Sequence, residues 1–231
     1  MVPGKQQDPP GQDAIARTAT EKPRILLAED HVLVAEALAK LLEPDFEVVG
    51  RVSDGRSLLE SAPKLKPDVV ILDLTMPLLN GMDAGPRLKQ LMPDAKVVVL
   101  TASEDPDIAA DALTWASGFL LKKSASSELA NAVKQVLAGQ SYVTTALPQL
   151  ASEKIAPDAL SKNPESLTVR QREVLQLLAE GHSMKDVALI LGLKVRTVAF
   201  HKYAIMRKFR IDNNPDLFRL AVKARVVPSP Q

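Results

Sequence analysis

Five short aliphatic runs, each followed by a stretch with helical periodicity, constrain the fold of this chain more than any other feature. The runs are Arg24–Ala28, Phe46–Gly50, Asp68–Asp73, Lys96–Thr101 and Gly118–Lys122. Nearly continuous Val, Ile and Leu indicate strands covered on both faces, as in parallel sheets. The amphipathic stretches lie at roughly 31–42, 54–63, 82–91, 105–115 and 126–138. Five strand-plus-helix units predict a doubly wound α/β domain with a five-stranded parallel sheet.

The C-terminal part of the chain has a purely helical pattern. Residues 143–165 are rich in Thr, Ser and Pro and are predicted to be a linker, and residues 228–231 a tail. Four helices are predicted near 168–180, 183–191, 195–209 and 215–225. Thr168 and Gln171 have the spacing of an N-terminal capping box. The chain is therefore predicted to be α/β followed by a small all-α domain.

Charge separates the same two parts of the chain. The formal net charge is only +1, but residues 166–231 hold twelve Lys/Arg and five Asp/Glu, a balance of +7. The rest has 17 basic and 23 acidic residues, a balance of −6. Such asymmetry indicates two domains with different partners, the basic one binding nucleic acid. The absence of cysteine excludes disulfides, thiolate metal sites and a cysteine nucleophile.

The N-terminal segment, residues 1–22, is predicted to be a disordered leader. It is rich in Pro, Gly, Gln and Asp and lacks the apolar stretch of a signal peptide. No later apolar run is long enough to cross a bilayer. A cytoplasmic protein that does not interact with membranes is the expectation.

Charged and hydroxyl side chains stand at the carboxyl ends of the predicted strands, where ligands bind in open parallel sheets. They are Glu29, Asp30, Asp73, Thr101 and Lys122. Converging carboxylates repel one another, and a divalent cation such as Mg²⁺ removes that penalty. An aspartate held there can attack a phosphoryl group, whose oxygens a hydroxyl and an ammonium can then bind.

These residues lie in motifs that resemble the receiver domain of two-component response regulators. The resemblance covers about residues 23–142 and rests on Leu27-Ala-Glu-Asp-His31, Asp68 to Pro77 with Asn80-Gly81, Val99-Leu-Thr-Ala102 and Phe119-Leu-Leu-Lys122. It implies a flavodoxin-like fold, with Asp73 as the phosphoacceptor. It further implies that Mg²⁺ is bound by Glu29, Asp30, Asp73 and the Thr75 backbone carbonyl. Thr101 and Lys122 would contact the phosphoryl group, and Phe119 would be the aromatic switch residue.

Each of these residues also has an ordinary structural interpretation. Asp30 or Thr101 could cap a helix, Lys122 could be a surface lysine and Phe119 a core residue. Their joint occurrence at successive strand ends favours the functional interpretation. One departure is that the segment between Thr101 and Phe119 is one residue shorter than usual. Another is Trp115, which stands where the family tends to have a small residue.

The helical part predicts a helix-turn-helix unit from Ser183 to Phe209, with the turn at Gly192. On the second helix Val198, Ile205, Met206 and Phe209 share one face and are predicted to be core. The opposite face carries Arg196, Ala199, Phe200, Tyr203 and Arg207. His182 and His201 are too isolated to predict a metal site.

Residues 166–227 resemble the LuxR-type helix-turn-helix, and with a receiver this makes the NarL/FixJ class of response regulators. The motifs are Leu167 to Leu175, Ala179-Glu-Gly181, Arg196 to His201 and Ile205-Met-Arg-Lys208. The DNA contacts expected from it are Lys185, Lys194, Arg196, Thr197, Phe200, Lys202, Tyr203 and Arg207. The chain departs from the family at Ala199, where lysine is common, and at Lys194, where a serine cap is common. We expect Lys194 to contact a DNA phosphate and partly replace the missing lysine.

The resemblance implies a transcription regulator that accepts a phosphoryl group on Asp73 from a sensor histidine kinase, with Mg²⁺. Phosphorylation is expected to favour a homodimer, with a contact through residues 215–225, or to release the domain that binds double-stranded DNA. One alternative is a phosphorylation-independent regulator whose receiver is a protein-docking module. Another is an aspartyl-phosphate hydrolase, but no second acid in Asp73-Leu-Thr75 offers a proton donor. The chain is therefore predicted not to be an enzyme.

Overall fold

The computed structural model describes residues 21–147 and 167–228. Residues 21–147 form an α/β domain whose parallel strands have the order β2-β1-β3-β4-β5-β6. The strands are β1 (Arg24–Ala28), β2 (Glu47–Val52), β3 (Val69–Asp73), β4 (Lys96–Thr101), β5 (Gly118–Leu121) and β6 (Tyr142–Val143). The helices are α1 (Val32–Leu42), α2 (Gly55–Leu65), α3 (Gly81–Leu91), α4 (Pro106–Leu113) and α5 (Ala125–Leu137). The predicted flavodoxin-like fold is confirmed.

Helices cover both faces of the sheet, as the continuous aliphatic strands predict. Alternate residues of a strand point to opposite faces. Ile25 and Leu27 of β1 therefore pack with α1 and α5, whereas Leu26 and Ala28 pack with α2 and α3. Helix α4 closes a third cluster around Phe119 of β5. Both faces exclude water, so polar groups at the strand ends concentrate along one edge of the sheet.

The structure adds one short strand to the five that the sequence predicts, and it begins beside the expected start of the linker at residue 143. Tyr142 and Val143 form a sixth strand beside β5, and Leu147 is buried in the α4 cluster. Glu128 of α5 holds this segment, since its carboxylate accepts hydrogen bonds from the Tyr142, Thr144 and Thr145 hydroxyls at 2.8, 3.1 and 2.8 Å. A strand of two residues shows no periodicity in the sequence, so β6 could be recognised only from its contacts in the folded protein. The predicted leader up to residue 20 and linker from residue 148 lie outside the described residues.

Trp115, the residue that departs from the receiver pattern, is accommodated by Gly85 of α3. A Cβ atom built on Gly85 would overlap the Trp115 ring. The indole packs with Ala116 beside both the α2–α3 cluster and the α4 cluster. The large Trp115 side chain after α4 thus fits because Gly85 of α3 has no side chain.

Residues 167–228 form a helical domain with the four helices that the sequence predicts. They are α6 (Val169–Ala179), α7 (Met184–Leu191), α8 (Val195–Phe209) and α9 (Asn214–Lys223). The capping box of Thr168 and Gln171 is present. Gly192 ends α7 in the left-handed conformation that glycine adopts without strain, and the chain turns there into α8. None of the helices in the described segments has the length and apolar character of a membrane span.

Candidate functional sites

The strand ends bring Glu29, Asp73 and Lys122 into direct contact. The Lys122 Nζ lies 2.8 Å from Asp73 Oδ2 and 2.7 Å from Glu29 Oε2. Asp73 is only 2% exposed and Glu29 only 5%, so the ammonium is the cation that compensates two buried carboxylates. Lys122 begins a short 3-10 turn after β5, and this turn directs its side chain across the edge of the sheet. The interpretation of Lys122 as a surface lysine is thereby excluded.

Burial is the main influence on the ionisation of Asp73. Loss of hydration raises its pKa from 3.8 to about 6, against the opposing effect of Lys122. Burial alone would lower the pKa of Lys122, but the Asp73 and Glu29 carboxylates raise it overall. Near neutral pH the site therefore holds a carboxylate that lacks full charge compensation, beside a firmly protonated lysine.

Asp30 and His31 extend the acidic cluster toward solvent. The His31 Nδ1 lies 2.8 Å from Asp30 Oδ1 and 3.1 Å from Glu29 Oε1. The Asp30 charge, together with a hydrogen bond to Glu29, raises the pKa of His31. The N-terminal cap residue of α1 is His31, not Asp30, and it makes no side-chain cap bond. Capping therefore does not explain Asp30.

Thr101 at the end of β4 and Phe119 in β5 are both buried, at 1% and 0% exposure. The Thr101 Oγ1 accepts a hydrogen bond from the Ser103 backbone N–H at 3.1 Å. Asp105, not Thr101, caps α4. Phe119 packs in the α4 cluster with Val99, Ala109 and Leu121, so its core interpretation holds for this conformation.

The loop between β3 and α3 carries Thr75, whose backbone N–H donates to Asp73 Oδ1 at 3.2 Å. A Cβ atom on Gly81, the first residue of α3, would overlap the Asp73 carbonyl. Glycine is needed there because the helix begins directly against the strand end. The loop is thus fixed at both ends around the Asp73 side chain.

The donor set of this cluster fits a hard divalent cation. Glu29 Oε2 and Asp30 Oδ1 are buried, and the described cationic groups beside them are the Lys122 ammonium at 2.7 Å and the His31 ring at 2.8 Å. Carboxylate and backbone carbonyl oxygens are the ligands that Mg²⁺ takes. Glu29, Asp30, Asp73 and the Thr75 carbonyl are therefore chemically suited to hold such an ion.

A basic, exposed face lies on α8 of the helical domain. Val198 and Ile205 are fully buried, and Met206 and Phe209 pack partly buried beside them. Among the expected DNA contacts, six are exposed: Lys185, Lys194, Arg196, Phe200, Tyr203 and Arg207. Thr197 and Lys202 are half-buried, and the Lys202 Nζ donates to Asn214 Oδ1 at 3.0 Å. Lys202 is therefore held toward α9, beside the exposed face.

Two family matches divide the chain as the structure does. Residues 25–134 match the response regulator receiver domain, and residues 165–221 match the luxR family of bacterial regulatory proteins. The oxygen regulatory protein NreC of Staphylococcus haemolyticus is 31% identical over 214 residues, which cover 88% of this chain and 99% of NreC. The response regulator GacA of Pseudomonas aeruginosa is 32% identical over 208 residues, with 88% and 97% coverage.

The chain belongs to the NarL/FixJ-type response regulators.

Solved structures agree with this assignment. RcsB of Salmonella typhimurium superposes with a TM-score of 0.59 at 27% identity, over 88% of this chain and 98% of that one. A complex of RcsB with DNA matches with a TM-score of 0.54 at 27% identity, over 88% and 99%. The α/β domain is thus a receiver, the helical domain is a LuxR-type DNA-binding domain, and the protein is a transcriptional response regulator.

In this response regulator the DNA-binding domain packs on the loop that follows Asp73. Gln176 of α6 is 1% exposed, and its Oε1 accepts from the backbone and side-chain N–H groups of Asn80, each at 3.1 Å. Its Nε2 donates to the Met76 carbonyl at 3.1 Å. Leu78 has a left-handed backbone (φ 63°), and its N–H donates to the Glu180 carboxylate at 3.2 Å. The loop that surrounds Asp73 therefore also binds the DNA-binding domain.

Ion pairs flank this interdomain interface. Glu173 of α6 is 4% exposed and lies 2.7 Å from Arg87 of α3. Arg172 lies 2.8 Å from Asp83. Arg225, just beyond α9, lies 2.8 Å from Asp105 at the start of α4. A cleft of about 950 Å³ runs between these contacts, from Asp30 and Thr101 to α9.

The sequence did not predict the residues of this interface. Glu173, Gln176 and Glu180 recur at helical spacing on one face of α6, which is the pattern of a solvated helix face. Burial by another domain leaves no periodic signal in the sequence of the helix. The contacts of that face with Asn80 and with Arg87 of α3 distinguish an interface between domains from a solvated helix face.

Proposed function

We propose that a sensor histidine kinase phosphorylates Asp73, with Mg²⁺ held by Glu29, Asp30, Asp73 and the Thr75 carbonyl, and that this changes dimerisation and DNA binding. The observation that carries the proposal is the buried Asp73 carboxylate, which contacts Lys122 at the end of β3, where the loop that binds Gln176 of the DNA-binding domain begins.

The chemistry at Asp73 follows from its surroundings. One Oδ of Asp73 forms a bond to phosphorus as the bond from phosphorus to the donor histidine nitrogen breaks, and that nitrogen takes up a proton. Bound Mg²⁺ would neutralise phosphoryl and carboxylate oxygens. Lys122 is already 2.8 Å from Asp73 Oδ2 and can pair with a phosphoryl oxygen with only a small movement.

Thr101 and Phe119 are proposed to respond to the new charge. The Thr101 hydroxyl oxygen now accepts from the Ser103 N–H, which leaves its proton free for a phosphoryl oxygen. Movement of Thr101 alters the space beside Phe119, because β4 and β5 are adjacent and Phe119 fills the cluster under α4. The phosphoryl group thereby favours a second arrangement of α4 and the loop after β4, a population shift between two states.

The interdomain interface is proposed to be the element that this shift releases. It leaves the exposed face of α8 open, so it does not block DNA directly. It does engage the α9 region, since Arg225 pairs with Asp105 and Val222 lines the interdomain cleft. Residues 215–225, the expected dimer contact, are thus held toward the receiver. RcsB has been solved as dimers bound to DNA, which supports a DNA-bound dimer here.

The test is phosphorylation of the purified chain by acetyl phosphate with Mg²⁺, comparing native protein with Asp73→Asn. We expect hydroxylamine-labile phosphate on the native protein alone, and none when Mg²⁺ is chelated before the phosphodonor is added. The dimer fraction, measured by light scattering, should rise with phosphorylation. No phosphate on either protein would instead indicate a phosphorylation-independent regulator whose receiver is a docking module.

A further inference from the structure

Helix α8 carries an exposed stripe in which two aromatic residues lie between two arginines. Arg196, Phe200, Tyr203 and Arg207 are spaced by four, three and four residues, so they share one face of the helix. Phe200 is 69% exposed and Tyr203 is 55% exposed, although both would gain from burial. We call these four residues the aromatic stripe.

The aromatic stripe has little to hold it within the described part of the chain. The Phe200 ring meets His201 edge-on at 5.6 Å, and the Tyr203 hydroxyl bonds to no described residue. Arg196 and Arg207 form no ion pair with a described carboxylate. The interdomain interface involves α6, α7 and the region of α9, so this face stays open while the domains are in contact.

Charge identifies the occupant of this face as a polyanion with apolar groups in reach. Helix α8, Val195–Phe209, contains four Lys/Arg and no Asp/Glu, and Lys194 adds an exposed cation at its start. Such a surface fits the phosphates on either side of a DNA groove. In the major groove, the apolar group that a base offers is the C5-methyl of thymine. A phenyl ring has no donor or acceptor with which to read other base edges.

We infer that Phe200, with Tyr203 beside it, reads thymine methyl groups in the major groove, while Arg196 and Arg207 contact the flanking phosphates. The inference rests on the proposed DNA binding by α8 and adds the base feature that the helix recognises. Ala199 supports it: on the same side of the helix, a methyl side chain leaves the neighbouring rings room to approach the base edges.

The experiment begins with a duplex selected from a random pool by the full-length protein that has been treated with acetyl phosphate and Mg²⁺. Each thymine of that duplex is then replaced by deoxyuridine, which removes the C5-methyl and leaves base pairing unchanged. At contacted positions we expect the native protein to lose about fourfold in affinity per methyl group. Thymines outside the protected half-sites serve as the control and should show no change.

The variant Phe200→Ala is expected to bind the thymine duplex more weakly and to lose the difference between thymine and deoxyuridine. Phe200→Leu, which keeps an apolar side chain, should retain part of that difference. Both substitutions lie on an exposed position, and circular dichroism checks the fold.

Equal affinity of the native protein for the two duplexes would overturn the inference and leave DNA binding intact. If Phe200→Ala instead weakened dimerisation without changing DNA affinity, the aromatic stripe would be a protein interface and the inference would be wrong. Failure to select any duplex would contradict the proposed DNA binding itself, and the inference with it.

Discussion

Asp73 shows how one residue combines opposing demands of stability and function. Its carboxylate is 2% exposed at the end of β3, and Lys122 compensates only part of the lost hydration. A pKa of about 6 in the folded protein means that folding favours the protonated form. Stability from this group is fully present below the unfolded pKa of 3.8 and is lost as the pH rises through 6. The carboxylate that we propose as the phosphoacceptor is retained at that cost in stability.

The first prediction concerns this cost. Asp73→Asn should raise the free energy of unfolding at pH 7.5, without divalent cations, by up to about 3 kcal/mol, because the amide mimics the protonated acid. The gain should vanish as the pH falls below about 4. Urea unfolding across this pH range measures it, with Asp111→Asn on exposed α4 as the control. If the difference in unfolding free energy between the two proteins did not depend on pH, burial would not be what raises the pKa of Asp73.

Single residues also mark what the sequence could and could not predict. The contact of Lys122 with Glu29 and Asp73 was predictable, because parallel strands end at one edge of the sheet. Gln176 was not, since its partners, Asn80 and the Met76 carbonyl, are about a hundred residues away. A single sequence reports periodicity along the chain, and it carries no record of which distant surface covers a polar residue.

At the scale of elements, α8 begins without a side-chain cap. Lys194 stands at the cap position and makes no cap bond, and a cation gains nothing from the helix dipole there. The neighbouring helices α6 and α7 both begin with complete capping boxes. The helix that is proposed to bind DNA is thus less well capped than the helices that support it.

The second prediction tests whether Lys194 exchanges stability for a phosphate contact. Lys194→Ser should stabilise the DNA-binding domain by about 1 kcal/mol through a restored cap. The same variant should weaken DNA binding and lower the salt slope of affinity by about one unit. Thermal unfolding and titrations at several salt concentrations measure both effects. Lys194→Ala separates charge from capping, and unchanged affinity and salt slope in that variant would rule out the phosphate contact.

The third prediction concerns the packing of α3 against the turn after α4. In an exposed helix, Gly→Ala stabilises by up to about 1 kcal/mol. Gly85→Ala should instead destabilise the receiver by about 1–3 kcal/mol, because the new Cβ overlaps the Trp115 ring. Trp115 is the only tryptophan of the chain, so its fluorescence reports the displacement directly.

A double variant provides the control for this packing. Adding Trp115→Leu to Gly85→Ala should recover much of the lost stability, since the smaller side chain leaves room for the methyl group. The free energy of unfolding lost through Gly85→Ala is measured in the native protein and in Trp115→Leu. Equal losses in the two backgrounds would show that the two residues are not coupled.

At the scale of the whole molecule, the loop between β3 and α3 connects two sites. It surrounds Asp73 at one end and binds Gln176 and Glu180 of α6 at the other. Leu78 within it adopts a left-handed backbone and packs against the core of the DNA-binding domain. Such backbone strain costs about 1–3 kcal/mol and persists only where the surroundings hold it. The contact between domains is therefore the element whose stability we propose the phosphoryl group changes.

The fourth prediction is that Gln176→Ala weakens the interdomain interface. It removes two acceptor bonds and one donor bond to the loop and leaves the Asn80 side chain less well satisfied. Small-angle scattering should show a larger radius of gyration, and the dimer fraction should rise without phosphorylation. Gln140→Ala, on an exposed position of the receiver, is the control. An unchanged radius together with an unchanged dimer fraction would mean that this interface does not restrain the protein.

The most direct test of the central claim is DNA affinity measured before and after phosphorylation of the same sample. The native protein and Asp73→Asn are titrated on a selected duplex at fixed salt, with and without acetyl phosphate and Mg²⁺. We predict that phosphodonor tightens binding of the native protein and leaves Asp73→Asn unchanged. Equal affinity of phosphorylated and unphosphorylated native protein would contradict the coupling of Asp73 to the DNA-binding domain.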